Sequence, residues 1–405
     1  MPRTIPILPQ RIALPVPDNP VADLAAPPPL ALYIHFPWCV KKCPYCDFNS
    51  HAVRDAGIPE DAYVAALLQD LQASLPQVWG RRVQSIFIGG GTPSLISEAG
   101  LDALLTGVRT LLPLAPDAEI TLEANPGTVE AGKFAAFRAA GVTRVSLGIQ
   151  SFDDAQLVKL GRIHDSREAQ VAIELAARHF DTWNIDLMYA LPEQSLAEAE
   201  ADLDRALSFQ PPHLSCYHLT LEPNTLFHRA PPPLPDDDTA ADMQDMIETR
   251  LAAAGYQHYE TSAFAQPGHR CQHNLNYWRF GDYLGIGAGA HGKLTSHEGV
   301  RREMRHKHPN AYLEAAATSG FVQEASWVAG KDLPFEFMMN TLRLLDGFSP
   351  TLLPLTTGLT IDQLQPQLAR ARTQGLLDIS AERIAPTDKG RRFLNDLLEI
   401  FLDER

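Results

Sequence analysis

Cys39, Cys43 and Cys46 crowd into eight residues of a 405-residue chain that holds only five cysteines. Cysteine thiolates are soft ligands for zinc and for iron–sulfur clusters. A structural zinc site closes with four ligands. Here the fourth would be His35, His51 or Asp47, none at a familiar paired zinc spacing. A four-iron cubane also offers four positions. Three thiolates would hold three irons and leave the fourth open to chelate a small molecule, which gives three cysteines a purpose that four would lack.

Other reactive residues follow short apolar runs. Gly89, Gly90 and Gly91 precede Thr92 and Pro93, and a glycine triplet lets backbone approach a ligand without Cβ interference. Glu123 precedes Asn125 and Pro126, Gln150 is followed twelve residues later by Arg162, Asp186 sits in NIDLMYALP, and Tyr217 and His218 end a further run. Singly, each reads as a turn or cap residue. Together they place polar groups at one end of successive strands, where buried polar atoms need partners.

The elements that must position them are legible. Strands are expected at 31–36, 85–89, 120–124, 144–149, 184–188 and 213–219. Helices are expected at 60–74, 98–112, 129–140, 166–179, 196–209 and 236–254. The strands are mostly apolar rather than alternating, as in a parallel sheet covered by helices. The fold class is α/β, a partial (β/α)6 barrel with its chemistry at the carboxyl ends of the strands. A mixed segment follows at 255–332, rich in glycine and histidine. Residues 333–405 read as a small winged-helix-like domain, with helices at 334–345, 361–374 and 391–402 around the wing GLLDISAERIAPTDKG. Residues 1–29 contain nine prolines and read as a disordered leader.

The bulk numbers set limits. Apolar residues make up 45% and charged residues 20%, ordinary for a globular protein. No apolar run approaches the roughly 18 residues of a membrane helix, and no signal peptide is evident. An odd, sparse cysteine count argues for a reducing compartment. We expect a cytoplasmic protein, working if anywhere at the membrane periphery. The net charge of −15 disfavours nucleic acid as a partner, for the winged segment as well.

The order YIHFPWC, CPYCDF, GGGTP, LEANP, SLGIQSF, LGRIHD and NIDLMYALPEQ, with the winged segment, covers about 31–405. It resembles the oxygen-independent coproporphyrinogen III oxidase family of the radical S-adenosylmethionine (SAM) superfamily. Within that family the chain is similar to the HemW-type haem chaperones. Phe48 stands where the oxidases carry a further cysteine, the proline-rich leader does not match their N-terminal segment, and CQHNLNYW at 271–278 resembles the HNxxYW motif of the chaperones.

The resemblance implies a [4Fe-4S] cluster on Cys39, Cys43 and Cys46, with SAM on the open iron and its sulfonium cleaved by one electron to a 5′-deoxyadenosyl radical. It implies Tyr33, Tyr45, Gly90, Gly91, Thr92, Glu123, Gln150, Arg162 and Asp186 as SAM-pocket positions. It implies haem at His273, with the imidazole as iron ligand, Asn274 orienting it, and Tyr277 and Trp278 against the porphyrin. On spacing alone His273 reads as a histidine beside an aromatic core. His269, His291, His297, His306 and His308 read as a solvated polar face. Arg301, Arg302, Arg305 and Lys307 suit haem propionates, or else form charged surface. The function implied is haem binding and delivery to apo-haemoprotein clients such as membrane respiratory subunits, with a homodimer as one assembly and no residue assigned to catalysis. The alternative is the oxidase reaction, radical decarboxylation of coproporphyrinogen III to protoporphyrinogen IX.

Overall fold

The computed structural model describes residue 24 and residues 26–54, 57–128 and 131–402. The leader at 1–29 therefore lies almost wholly outside the described residues.

The chain runs β1 (Leu30–Phe36), α1 (Glu60–Ser74), β2 (Val83–Gly90), α2 (Glu98–Leu111), β3 (Leu114–Ala124), α3 (Ala131–Ala140), β4 (Arg144–Gln150), α4 (Ser166–His179), β5 (Thr182–Tyr189), α5 (Leu196–Ser208), β6 (His213–His218) and α6 (Asp237–Ala253). β1 to β6 lie side by side in sequence order, all parallel. This is the (β/α)6 order expected from the sequence. Its cause is visible in β1, where every residue but Tyr33 is buried. Burial on both faces requires a helix layer on one side and a filled interior on the other. Local signals fix the helix starts. Asp165 with Glu168, and Ser195 with Glu198, make reciprocal capping boxes that satisfy the free N–H groups of α4 and α5.

Beyond 254 the chain visits both edges of the sheet. β7 (Gln257–Glu260) and β8 (Ala263–Ala265) form a hairpin that extends β6 antiparallel. Helix α7 (Gln272–Trp278) follows, then β9 (Asp282–Ile286), which pairs in parallel with β1. β10 (His291–Ser296), β11 (Gly299–Arg305) and β12 (Val322–Trp327) complete a twelve-stranded sheet. The 255–332 stretch is thus continuous with the barrel, and β9 adds a further parallel strand. The sequence reading expected short strands in this mixed segment but gave them no bounds, and the glycines of FGDYLGIGAGAHG leave the strand unmarked.

The C-terminal segment packs its own core from Phe337, Leu353, Leu368 and Leu397, joined by Phe280 and Val300 from the sheet domain. Its wing is β13 (Leu377–Ile379) against β14 (Ile384–Pro386). Three features differ from expectation, the first being that the helix expected at 334–345 ends at Thr341. The helix expected at 391–402 is two short pieces, Asp388–Arg392 and Leu394–Glu399, broken at Phe393. A helix at Leu352–Thr357, absent from the reading of the sequence, ends at Gly358 in the left-handed conformation. Among the described residues no helix is long and apolar enough to cross a membrane.

Candidate functional site: a cysteine loop over the barrel mouth

The cysteine loop leaves the carboxyl end of β1. Its base is pinned where Trp38–Cys39 pairs with His51–Ala52. His51 N–H donates to the Pro37 carbonyl at 2.7 Å and Val53 N–H to that of Cys39 at 2.8 Å. Within the loop, Cys46 N–H donates to Cys43 O at 3.2 Å. Each thiol meets a polar neighbour. Thr92 Oγ1 donates to Cys39 Sγ at 3.4 Å, Arg162 Nη1 to Cys43 Sγ at 3.8 Å, and Cys46 Sγ lies 3.7 Å from Ser50 Oγ. Burial is the main cause that pushes the Cys39 and Cys46 thiols above their ordinary range. Among the described residues no three His, Cys, Asp or Glu side chains are grouped to hold a single metal ion. A cubane asks for something else, since each cysteine binds its own iron at a separate corner. Three unpaired thiols facing one cavity suit that donor set.

The strand ends meet the loop. Gly91 N–H donates to Phe36 O at 2.8 Å and Thr92 N–H to Trp38 O at 2.7 Å, so the glycine run lies along the start of the cysteine loop. A Cβ on Gly91 would sit 2.5 Å from the Trp38 carbonyl oxygen. One on Gly90, whose φ is +123°, would sit 2.7 Å from the His35 ring. Only glycine permits this approach. Gly90 N–H donates to Glu123 Oε2 at 3.1 Å. Burial first, and Asp186 second, raise the Glu123 carboxyl from its usual 4.5 to about 8. Gln150 ends β4 with φ +70°, a strained conformation for a side chain and one that gathers at functional sites. Arg162 ties this strand end to the loop, donating to Gly148 O at 2.7 Å and to Tyr45 OH at 3.5 Å.

These groups surround a cavity of about 360 Å³ at the barrel mouth. The structure brings Cys39, Cys43, Cys46, Tyr45, Gly90, Gly91, Thr92, Glu123, Gln150, Arg162 and Asp186 to its walls. It also adds residues that the sequence reading missed. Ser146 and Gly148 on β4, Asn184 on β5, and His213 and Ser215 on β6 face inward beside the expected Asp186 and Tyr217. They are hydrogen-bonded together: Asn184 Nδ2 donates to Asp186 Oδ1 at 2.7 Å and to Ser146 Oγ at 2.8 Å, and His213 Nδ1 to Asn184 Oδ1 at 2.5 Å. The signal was present at single alternate positions, Ser146 in β4, Asn184 in β5 and His213 and Ser215 in β6, within otherwise apolar runs.

A model of the radical SAM superfamily matches residues 33–206, and one of the HemN C-terminal domain matches 328–393. Heme chaperone HemW of Escherichia coli K12 is 52% identical over 379 residues, covering 93% of this chain and 99% of that protein. Heme chaperone HemW of Haemophilus influenzae is 49% identical with the same coverage, and that of Bacillus subtilis 33% over 92% of this chain and 99% of its own. The chain belongs to the HemW heme chaperone family. The solved structure of coproporphyrinogen III oxidase (HemN) from Escherichia coli, described as a radical SAM enzyme, matches with a TM-score of 0.78 at 24% identity. It covers 92% of this chain and 90% of that one, a likeness of fold.

The HNLNYW segment of this HemW family member is α7, and its four expected haem residues do not share one cavity. His273 is 1% exposed. Its Nδ1 is 3.1 Å from Ser85 Oγ and its ring packs against Phe87 and Tyr277, while its Nε2 is enclosed without a partner. Burial and the nearby Arg144 lower its pKa to about 3, so it is neutral. An iron can reach it only if α7 moves. Asn274 lines the cluster cavity. Trp278 turns the other way, into the cluster of Tyr259, Leu275 and Leu344, with the Arg343 guanidinium 4.4 Å from its ring centre.

Tyr277 lines a second cavity of about 660 Å³, which shares Asp47, Phe48, Gly90 and Glu123 with the first. Tyr33, expected beside SAM, also faces this second cavity, with its hydroxyl 2.9 Å from His35 Nδ1. The basic run is a further correction to the expected charged surface. Arg305 is 1% exposed and holds Asp70 and Glu303, while Arg301 pairs with Glu303 and Arg302 with Glu336. Each of these three arginines has a carboxylate partner inside the fold.

Proposed function

We propose that this chain binds haem and hands it to apo-haemoproteins, respiratory subunits at the membrane surface among them, while carrying a [4Fe-4S] cluster on Cys39, Cys43 and Cys46 with SAM beside it. The observation that carries the reading is the set of three thiols facing one cavity whose other walls are Gly90, Gly91, Thr92, Glu123, Gln150, Arg162 and Asp186. The relatives named heme chaperone support the haem half. When bound, the cluster supplies one-electron chemistry to the SAM sulfonium. The chain's own part is positional. Gly90 and Gly91 would bring backbone against the amino-acid end of SAM. Glu123 and Asp186 offer carboxylates, and Arg162 clamps the loop to β4. Phe48 stands exposed at the rim, where the oxidases place a further cysteine, and this favours delivery over decarboxylation.

The test is anaerobic reconstitution followed by haemin titration and transfer. Saturable haemin binding, and passage of that haem to an apo-cytochrome, are expected. Cys39→Ser, Cys43→Ser and Cys46→Ser should each lose the iron–sulfur absorbance while Cys216→Ser keeps it. Formation of protoporphyrinogen from coproporphyrinogen and SAM, with no saturable haemin binding, would establish the oxidase instead.

A further inference from the structure

Below the strand ends assigned to SAM, the first cavity runs on toward the amino ends of the strands. We propose that its floor is a separate subsite for a small organic carboxylate, held by the Arg144 guanidinium with the side-chain amide of Asn274 beside it. The inference stands apart from the haem reading.

Arg144 opens β4 and Gln150 ends it, and both line the cavity. Six residues at about 3.3 Å each put roughly 20 Å of strand between their backbones. Positions 144, 146, 148 and 150 share the inward face, so the cavity follows the inside of the barrel downward. The floor is thereby set apart from the cysteine loop and the glycine run, which lie at the carboxyl ends.

Arg144 is 3% exposed. A guanidinium carries five N–H donors. Its Nε is enclosed without a partner, and the group makes no hydrogen bond or ion pair among the described residues. Burial works against its charge, but Cys271, Glu119, Tyr259 and Asp186 outweigh burial and hold its pKa above the ordinary arginine value. These neighbours act through space, because their own bonds go elsewhere. Glu119 Oε1 accepts from His273 N–H at 3.2 Å and from Cys271 Sγ at 3.5 Å. Asp186 accepts from Asn184 at 2.7 Å and from Ser146 at 3.1 Å. Burial pushes the Cys271 thiol up to about 12, so it stays neutral at pH 7. A buried charge is costly unless it is paired and hydrogen-bonded. A cation so enclosed, facing a cavity, is matched to an anion that enters from outside.

Two further donors stand beside it. Thr121, the register partner of Arg144 on β3, keeps its hydroxyl buried and unpartnered. Asn274 lines the cavity from α7, and its side chain makes no hydrogen bond among the described residues. Phe87 supplies an apolar wall. The planar guanidinium fork takes a carboxylate through two parallel bonds, and the amide and hydroxyl can serve its outer lone pairs. The whole cavity is about 360 Å³ and is shared with the mouth, so the floor suits a ligand of few heavy atoms. The HNLNYW segment then has a use that leaves α7 in place: His273 is closed off behind Phe87, while Asn274 reaches the floor.

The experiment is equilibrium dialysis of the full chain against radiolabelled propionate, with propionamide as the neutral match and melting temperature as a second readout. Saturable propionate binding that propionamide does not displace is expected. Arg144→Gln should weaken it at least about tenfold, the scale of a lost bond to a charged group. Asn274→Ala should weaken it by about threefold; this residue is half-buried, so the variant keeps the test decisive where Arg144→Gln fails to fold. Propionate should raise the melting temperature of the unmodified chain and leave that of Arg144→Gln unmoved, which a purely structural arginine would not produce. Saturating SAM, added to the anaerobically reconstituted protein, should leave propionate bound. Displacement by SAM would place the anion in the SAM pocket and overturn the proposal. Absence of saturable binding, equal displacement by propionamide, or equal affinity in Asn274→Ala and the unmodified chain would overturn it as well.

Discussion

The proposed contact of Glu123 with SAM would couple SAM binding to pH. Its carboxyl is enclosed between β3 and the glycine run and sits near Asp186, and its pKa is raised to about 8. A cationic ligand selects the ionised form, so the ligand must supply the cost of ionising it. That cost is about 1.4 kcal/mol at pH 7 and about 2.7 kcal/mol at pH 6. SAM affinity should then rise about fifty-fold from pH 6 to pH 8 and level off above. Glu123 keeps one face on the cavity, so these figures are ceilings. The α-amino group of SAM titrates in the same window, near 8 for a free amine. The comparison that isolates Glu123 is therefore Glu123→Gln, measured by calorimetry across the same range in buffers of different ionisation heat. The variant should lose most of the slope and the proton release. The sign for folding follows from the same shift. A carboxyl whose pKa lies above its unfolded 4.5 favours the fold when protonated. The unliganded protein should lose stability as pH rises from 4.5 through about 8, by at most on the order of 5 kcal/mol. Glu123→Gln should accordingly raise the melting temperature at pH 8.5 and change it little at pH 5. A flat SAM affinity from pH 6 to 8 in the unmodified protein, or an equal slope in Glu123→Gln, would refute the reasoning.

Three further outcomes are expected. Gly91→Ala puts a Cβ 2.5 Å from the Trp38 carbonyl, so the glycine run must leave the cysteine loop; SAM affinity measured by calorimetry should fall more than about tenfold, with folding retained by circular dichroism. Asp70→Asn takes from the buried Arg305 one of its two carboxylates and leaves it Glu303 at 2.8 Å, and Asp70 also accepts from Tyr312 at 2.8 Å; urea unfolding should show a loss of about 1–3 kcal/mol. Phe48→Cys should not create coproporphyrinogen oxidase activity in a porphyrin fluorescence assay, because the rest of the second cavity is unchanged.

The barrel was legible because its strands are buried on both faces and its helices carry caps; α1 and α4 fall on the residues expected. The cluster loop and glycine run were legible from spacing. What the sequence hid was partnership. Asp282–Ile286 is a parallel strand only because β1 offers it an edge, and its glycines concealed that. His273 was a haem ligand by resemblance and a histidine beside an aromatic core by spacing, and Phe87 and Tyr277 do enclose its ring. Arg305 looked like surface charge until the fold set Asp70 against it. The inward polar residues Ser146, Asn184 and His213 were missed because their alternation matters only once the barrel has an inside.

Leu30 pairs with Val83 on one side and with Asp282 on the other. During synthesis β1 therefore gains one neighbour early and waits for the second until most of the polypeptide has emerged. Through that interval its outer edge is an unpaired row of donors and acceptors, open to association with other nascent chains. The cysteine loop hangs from this same strand, and its partner loop at 287–290 arrives with β9. The cysteine loop is thereby completed late in the synthesis of the chain, when the last strands pair with β1.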